Sequence, residues 1–427
     1  MTGGVKIAKL RKGGKGRRGL VACGLMSGTS RDGIDVAFVE IGDRFPQSTI
    51  RLIHAETIPY PGWLRKMLML PPSRLTAQDV ASLDFAVGKL FGLAVLKALR
   101  HAGLERDDID VIGSHGQTLL HMPRGVRIGN QVVRSTLQVG HGAVIAEATG
   151  ITTVSDFRSA DIAVGGEGAP LVPIFDYAVL RSRSKSRVAL NIGGIANLTA
   201  IPRDGMLRSM TSFDTGPGNC MIDTAVRLLT GGRRGYDRDG EVASRGTPDT
   251  RELERILSHP YFKRKPPKST GWEEFGEDLT RRVVGRMKRR NLRKKVIVRT
   301  VTEVVCESIG RAIEDFVVPL MRPDEVIVTG GGSKNRFLMK RLSCRLRKIS
   351  PSIVVGPGEA FGINSDAKEA CAFAYLAYLC VRRIPANVVS LNAGLKPAVL
   401  GAIYPVYPGP DLQSRKLPHA GRAPVRC

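Results

Sequence analysis

Apolar residues along this chain fall into short runs that alternate with helical stripes. Residues 21–26 form a short apolar run, 27–35 are rich in turn formers, and 36–41 are apolar again, which predicts strand, polar loop, strand. Over 79–102 apolar positions such as Leu83, Val87 and Leu90 recur at helical spacing, so a long helix is expected. Residues 110–113 read as a buried strand. Further strands are expected at 151–154, 188–192, 198–201 and 325–328, and helices at 220–229, 301–317, 334–347 and 366–382. Such alternation predicts an α/β fold. Two strand-turn-strand units, 21–41 and 188–201 with Gly193 and Gly194 in its turn, each open one half of the chain. No residue-level repeat is visible, but the arrangement predicts a duplicated domain presenting Gly-rich hairpins to a shared central cleft.

The 427 residues are 42% apolar and 5% aromatic, enough for two or three domains with a substantial core and unlike a disordered or collagen-like chain. The best candidate for a membrane span, 370–381, falls well short of the roughly 20 residues required. A net charge of +26 would by itself point to a nucleic-acid or anionic-surface partner. Four acid-free segments carry nearly all of it: seven basic residues in 1–19, four in 181–187, ten in 281–300 and four in 414–427. Without these 25, 40 basic residues face 39 acidic ones. The segments read as solvated tails and loops added to an ordinary globular body. The alternative is a weak, salt-sensitive attraction to phosphates, for which aromatic stacking partners are lacking. The N-terminus has no secretory h-region, so export is not expected. The seven widely spaced cysteines, without a C-x-x-C pair, read as reduced thiols of a cytoplasmic protein.

Three Gly-rich turns carry candidate chemistry. Ser27, Gly28, Thr29, Ser30, Arg31, Asp32 and Gly33 combine backbone N–H groups open to an anion with hydroxyl donors, and Asp32 could hold Mg²⁺. Gly193 and Gly194 sit within Asn191–Asn197, and Gly330, Gly331 and Gly332 lie between a strand and a helix, where phosphate contact is favoured. None of them fits the Walker or the dinucleotide-binding pattern. Asp214, in a turn after Phe213 and followed by glycines, could take a proton from a hydroxyl or water; a capping role for the following helix is the alternative. His115, with Gln117, and Asp156, Arg158 and Asp161 form polar clusters beside strand ends that could read sugar hydroxyls and a carboxylate; for His115 a satisfied structural role is the alternative and the commoner one.

Seven segments, 24–35 (GLMSGTSRDGID), 114–118 (SHGQT), 156–158 (DFR), 165–173 (GGEGAPLVP), 191–198 (NIGGIANL), 213–219 (FDTGPGN) and 266–271 (PPKSTG), resemble the anhydro-N-acetylmuramic acid kinases, in that family's order. The resemblance runs from about 19 to about 404. It implies an actin-like, two-lobed ATPase fold with ATP in the central cleft. Its domains are expected at 20–185 and 186–405, with tails at 1–19 and 406–427. It also implies the reaction: 1,6-anhydro-N-acetylmuramic acid, ATP and water give N-acetylmuramic acid 6-phosphate and ADP, in peptidoglycan recycling.

By resemblance Asp214 is the general base. Gly28, Thr29, Ser30, Arg31, Asp32, Gly33, Ile34 and Asp35 form the ATP-phosphate loop, with Gly193, Gly194, Gly330, Gly331 and Gly332 as further nucleotide contacts. His115, Gln117, Asp156 and Arg158 look like substrate-lobe positions, Arg158 facing the lactyl carboxylate. ATP and Mg²⁺ are the implied cofactors, the Mg²⁺ ligands being unassigned, and a homodimer is left open. Trp272 stands where the family pattern leads one to expect an arginine. Two other readings stay open: a nucleic-acid or anionic-surface binder on an inactive kinase scaffold, and a kinase of another sugar.

Overall fold

The computed structural model describes residues 19–28, 31–42, 45, 49–387 and 396–406. Two sheets share one topology. In the first, β1 (Gly19–Ser27), β2 (Gly33–Gly42) and β3 (Ile50–Pro59) form an antiparallel meander. Beside β1, β4 (Val111–Ile128) and then β6 (Thr153–Ser155) are added in parallel, while β5 (Gln131–Val139) pairs only with β4. In the second sheet, β7 (Arg187–Ile192), β8 (Ile195–Ile201) and β9 (Thr211–Pro217) form the same meander, and β10 (Glu325–Thr329) and β11 (Val354–Pro357) add in parallel beside β7. This duplicated strand order agrees with the two-lobed architecture that the family resemblance implies. The duplication expected from two hairpins is therefore real at the level of topology.

Most expected elements form, with ends shifted by caps. The helix expected over 79–102 is Ala77–Ala102: Thr76 Oγ1 accepts from Asp79 N–H at 3.1 Å, Asp79 Oδ2 accepts from Thr76 N–H at 2.9 Å, and Gly103 in the left-handed region stops it. The strand expected over 110–113 continues to Ile128, because β5 pairs with its far half. β5 faces solvent along most of its length, so its sequence carries no core-facing alternation to reveal it.

Two expectations are corrected. The second lobe does not run unbroken to residue 405. The helix Lys368–Val381 packs on β1, β4 and β2, and β12 (Ala402–Tyr404) pairs with β6 at the edge of the first sheet. This helix contains the apolar run 370–381 and is buried on nearly all sides, as a core helix of that length should be. Among the described residues no helix is long and apolar enough to cross a membrane.

The basic segment 281–300 is likewise no appended loop. It falls on the helices Glu277–Arg289 and Lys294–Phe316, whose Val283, Val284, Met287, Ile297 and Val298 are buried. Four of its ten cations pair with acids outside the segment, among them Arg286 Nε with Glu252 at 2.9 Å, Arg290 with both oxygens of Asp249, and Arg299 with Glu303 at 2.8 Å. In 181–187, Arg187 pairs with Glu325 at 2.7 Å. The tails 1–18 and 407–427 lie outside the described residues.

One buried cluster spans the joint between lobes, combining Ala22, Val111 and Phe373 with Ala189, Ile201 and Ile327. The helix Lys368–Val381 sits so close to the first sheet that a Cβ on Gly24 or Gly113 would run into the carbonyl of Ala370 or Phe373. Gly113→Val is expected to lower the unfolding free energy by more than about 3 kcal/mol, since backbone rather than a flexible side chain must move. A urea midpoint equal to that of the unsubstituted protein would show that the contact does not hold the fold.

Candidate active site

Asp214 lies inside β9, not in a turn. Asn197 faces Asp214 and Ala196 faces Gly216, so Thr215 is an extra residue that bends the strand at this point. The backbone of Asp214 is held from both sides, its N–H donating to Lys268 O at 3.1 Å and its carbonyl accepting from the Tyr261 hydroxyl at 2.6 Å. Its Oδ2 accepts from Thr270 N–H at 2.9 Å, and no described residue hydrogen-bonds Oδ1. Burial raises the carboxyl to about 6, with Glu167 and Glu273 adding repulsion and the Thr270 N–H and Lys268 opposing it. Lys268 is wedged among the rings of Phe213, Tyr261 and Phe316, 4.6–5.7 Å from their centroids, and burial lowers its ammonium to about 8. Glu167 comes from the other lobe and accepts from Ser269 Oγ at 3.4 Å. Asp214 thus sits where the two lobes meet.

The three Gly-rich turns lie at strand ends, as the sequence suggests. In the first, the single proton of Ser27 Oγ is shared between Gly33 O at 2.8 Å and Gln117 Oε1 at 2.7 Å, and Gln117 Nε2 donates to Gly28 O at 3.3 Å. Gln117, expected on the substrate side, is buried and braces this loop. Ile34 is core, which removes its side chain from the expected phosphate loop. The Arg31 guanidinium donates to Leu68 O, and Asp32 O accepts from Tyr60 N–H at 3.0 Å. Asp35 Oδ1 accepts from Thr57 Oγ1 at 2.6 Å, and its carboxyl is raised by burial, with Asp32 and Asp366 contributing. Thr29 and Ser30 lie outside the described residues.

In the second turn the carbonyls of Gly193 and Gly194 accept from the N–H groups of Asn219, Gly218 and Cys220, docking the hairpin onto the start of the helix Asn219–Thr230. The Trp272 indole lies over Gly194. In the third, Gly330 O accepts from Ser333 Oγ at 2.7 Å, and Gly331 borders a cavity of about 400 Å³ with Asn219 and Lys334. Lys334 Nζ reaches across to Asp366 at 2.7 Å. Among the described residues no group of three or more His, Cys, Asp or Glu is placed to hold a metal ion. Mg²⁺ asks for less, one or two carboxylates beside phosphate oxygens and water, and the hard oxygens of Asp32 and Asp35 fit that demand.

On the substrate side the structure joins His115 to Arg158. Nε and one terminal nitrogen of Arg158 donate to His115 Nε2 at 3.1 and 2.8 Å, and a further nitrogen donates to Gly168 O at 2.6 Å. His115 Nε2 is therefore the acceptor, and its Nδ1–H donates to Gly116 O at 3.0 Å. Burial and then the Arg158 charge hold His115 well below the usual imidazole range, so it stays neutral and orients the guanidinium. Asp156, with φ of 54°, accepts from Ser159 Oγ at 2.6 Å and shares with His115 a cavity of about 190 Å³.

Sequence reasoning gave no role to Lys268, Thr270 or Glu167. All three stand inside the segments that carried the family resemblance, and that was the available signal.

A family model described as anhydro-N-acetylmuramic acid kinase matches residues 21–406. A protein of that name from Caldanaerobacter subterraneus subsp. tengcongensis is 41% identical over 382 residues, covering 89% of this chain and 96% of that protein. Another, from Gloeobacter violaceus, is 41% identical over 387 residues, covering 90% and 98%. Among solved structures, the activator of the 2-hydroxyisocaproyl-CoA dehydratase from Clostridium difficile with bound ADPNP aligns with a TM-score of 0.41 at 12% identity, over 85% of this chain and 96% of that one. A ROK family glucokinase from Streptomyces griseus in complex with glucose and AMPPNP aligns with a TM-score of 0.36 at 12% identity, over 84% and 99%. With the family model spanning most of its length and relatives of that name at about two identical residues in five, the chain belongs to the anhydro-N-acetylmuramic acid kinase family.

Proposed function

We propose that this chain uses ATP and water to open 1,6-anhydro-N-acetylmuramic acid and to phosphorylate its O6, giving N-acetylmuramic acid 6-phosphate and ADP in peptidoglycan recycling. Asp214 is the catalytic base of this reading. The observation that carries it is a carboxylate between two lobes, fixed by the Thr270 N–H on Oδ2, open on Oδ1 and raised to about 6. Such a group is ionised at neutral pH yet basic enough to take a proton from water.

The water oxygen bonds to the anomeric carbon as Asp214 takes its proton. The C1–O6 bond breaks and its electron pair stays on O6. O6 then bonds to the γ-phosphorus, the bond to the β-phosphate oxygen breaks, and ADP leaves. The proton on Asp214 returns to solvent.

The β1–β2 loop, Gly193, Gly194 and Gly330–Gly332 surround the nucleotide, with Asp32 and Asp35 as the Mg²⁺ carboxylates; bound Mg²⁺ supplies neutralisation of phosphate charge. Arg158, with donors left beyond those engaged by His115 and Gly168, pairs with the lactyl carboxylate. His115 and Asp156 complete the sugar side. Glu167, through Ser269, helps bring the lobes together and exclude bulk water. The competing nucleic-acid reading is weakened for 281–300, where four of the ten cations are held in ion pairs.

Asp214→Asn should leave ATP binding nearly intact and lower kcat by about 10²- to 10⁴-fold; turnover equal to the unsubstituted enzyme would remove Asp214 from the mechanism. Because the base must be ionised and its carboxyl lies above the ordinary range, kcat/KM should fall about tenfold per pH unit below about 6. A limb near the ordinary aspartate value of about 4 would contradict the assignment. Turnover in ¹⁸O-water should place the label at the anomeric position of the ring-opened 6-phosphate; label in phosphate instead would show attack at phosphorus.

A further inference from the structure

We infer that Asp223 reads the ribose hydroxyls of the bound nucleotide. This rests on the ATP-site reading above and adds to it the residue that recognises the sugar of ATP.

Asp223 lies one turn into the helix Asn219–Thr230 and lines the cavity of about 400 Å³ that Asn219, Tyr236, Gly331 and Lys334 also border. The other carboxylates that line this cavity, beside the cations Arg238 and Lys334, are already engaged. Both oxygens of Asp237 accept backbone N–H groups, from Val242 at 2.9 Å and Ala243 at 3.0 Å. Asp239 lies 3.8 Å from Arg336, and Lys334 is paired with Asp366. Arg227, one turn further along the same helix, turns instead to Thr224 Oγ1 at 3.1 Å and to Glu277 at 3.7 Å. Asp223 is left half-buried, with no hydrogen bond or ion pair among the described residues. Burial, together with Asp237, pushes its carboxyl up to about 6 despite the opposing Arg227 charge. A carboxylate in that state gains from any donor that enters the cavity.

An ionised carboxylate only accepts, so the ligand must donate. ATP offers few donors: the triphosphate is acceptor-only and repelled, leaving the 2′- and 3′-hydroxyls and the base amine. Position favours the hydroxyls. Asn219 and Gly331 mark the phosphate end, and Asp223 lies four residues, about 6 Å, along the helix from Asn219. That offset suits the sugar next to the phosphates; the base amine lies a ring system further away. A vicinal diol also matches the two oxygens of a carboxylate, the pairing by which acidic residues read ribose elsewhere. The exposed ring of Tyr236 then remains for the base.

The test compares ATP, 2′-deoxy-ATP, 3′-deoxy-ATP and inosine triphosphate as substrates for the full-length enzyme and its Asp223→Ala variant, with thermal unfolding confirming that the variant is folded. The unsubstituted enzyme should show a KM about 10- to 100-fold higher for at least one deoxynucleotide than for ATP. Asp223→Ala should raise the KM for ATP to that level, leave kcat within about threefold and bring ATP and the deoxynucleotides to near equality. If Asp223→Ala does not fold, Asp223→Asn should show the same changes to a smaller degree. A variant that keeps the original ratio of ATP to deoxynucleotide overturns the inference. So does one that loses only the preference for ATP over inosine triphosphate, which would put the carboxylate on the base amine. If ATP neither binds nor turns over in the unsubstituted enzyme, it is the nucleotide-site reading that fails, and this inference with it.

Discussion

The rest of the structure depends on how closely the backbone of one helix approaches two strands. The helix Lys368–Val381 lies on β1 and β4 at Gly24 and Gly113, where there is no room for a side chain. Ala370, Ala374 and Ala377 keep the helix surface equally thin. Because this helix follows β11 of the second sheet, its return to the first one ties the two lobes together. Its N-terminal Lys368 forms a buried ion pair with Asp176 at 2.7 Å and stands 3.5 Å from Thr329 of the second sheet. A buried pair of this kind adds little net stability, but leaving either charge unpaired would be costly, so it favours one arrangement of the joint. The Gly-rich turns of both lobes are thereby held around the same cleft.

Within that cleft the electrostatics follow from burial more than from charge. Asp214, Asp35 and Asp223 are each raised mainly by loss of water, and neighbouring carboxylates add to it. In the proposed reaction each has a use: Asp214 as the base that takes a proton from water, Asp35 as an acceptor for metal, and Asp223 as an acceptor for hydroxyl groups. His115 shows the opposite side of the same rule. Loss of water and the Arg158 guanidinium keep it neutral, and a neutral imidazole can accept from that guanidinium and hold it in place. The charge stays on the arginine, where an anionic group of the substrate can use it.

The large positive charge is a second case in which location decides meaning. Counted along the chain, ten cations in 281–300 look like a patch for polyanions. They lie on the outer side while valines, one isoleucine and a methionine point inward, and acids from elsewhere in the chain, Glu252 and Asp249, reach two of them. Those partners are 34 and 41 residues away, which is why local reading saw no compensating charge.

Local pattern was sufficient where local forces decide. The hairpins of β1–β2 and β7–β8, the long helix closed by Thr76 and Gly103, and the strand before Gly330 were legible because burial periodicity and capping act within a few residues. The family was legible for a similar reason, and with it the carboxylate proposed as the base, since runs such as FDTGPGN are contiguous. The bulge that puts Asp214 inside a strand was not, because it arises from pairing with β8. Nor was the exposed strand β5, which depends on β4 alone. Gln117 and Ile34 sit next to proposed site positions in sequence, but the alternation of a strand turns one towards a loop and the other into the core. The sequence by itself determined the α/β alternation, the Gly-rich turns and the family. Only the tertiary structure decided which charges are spent, which carboxylates are left open, and that the last helix belongs to the first lobe, because each depends on contacts between residues far apart in the chain.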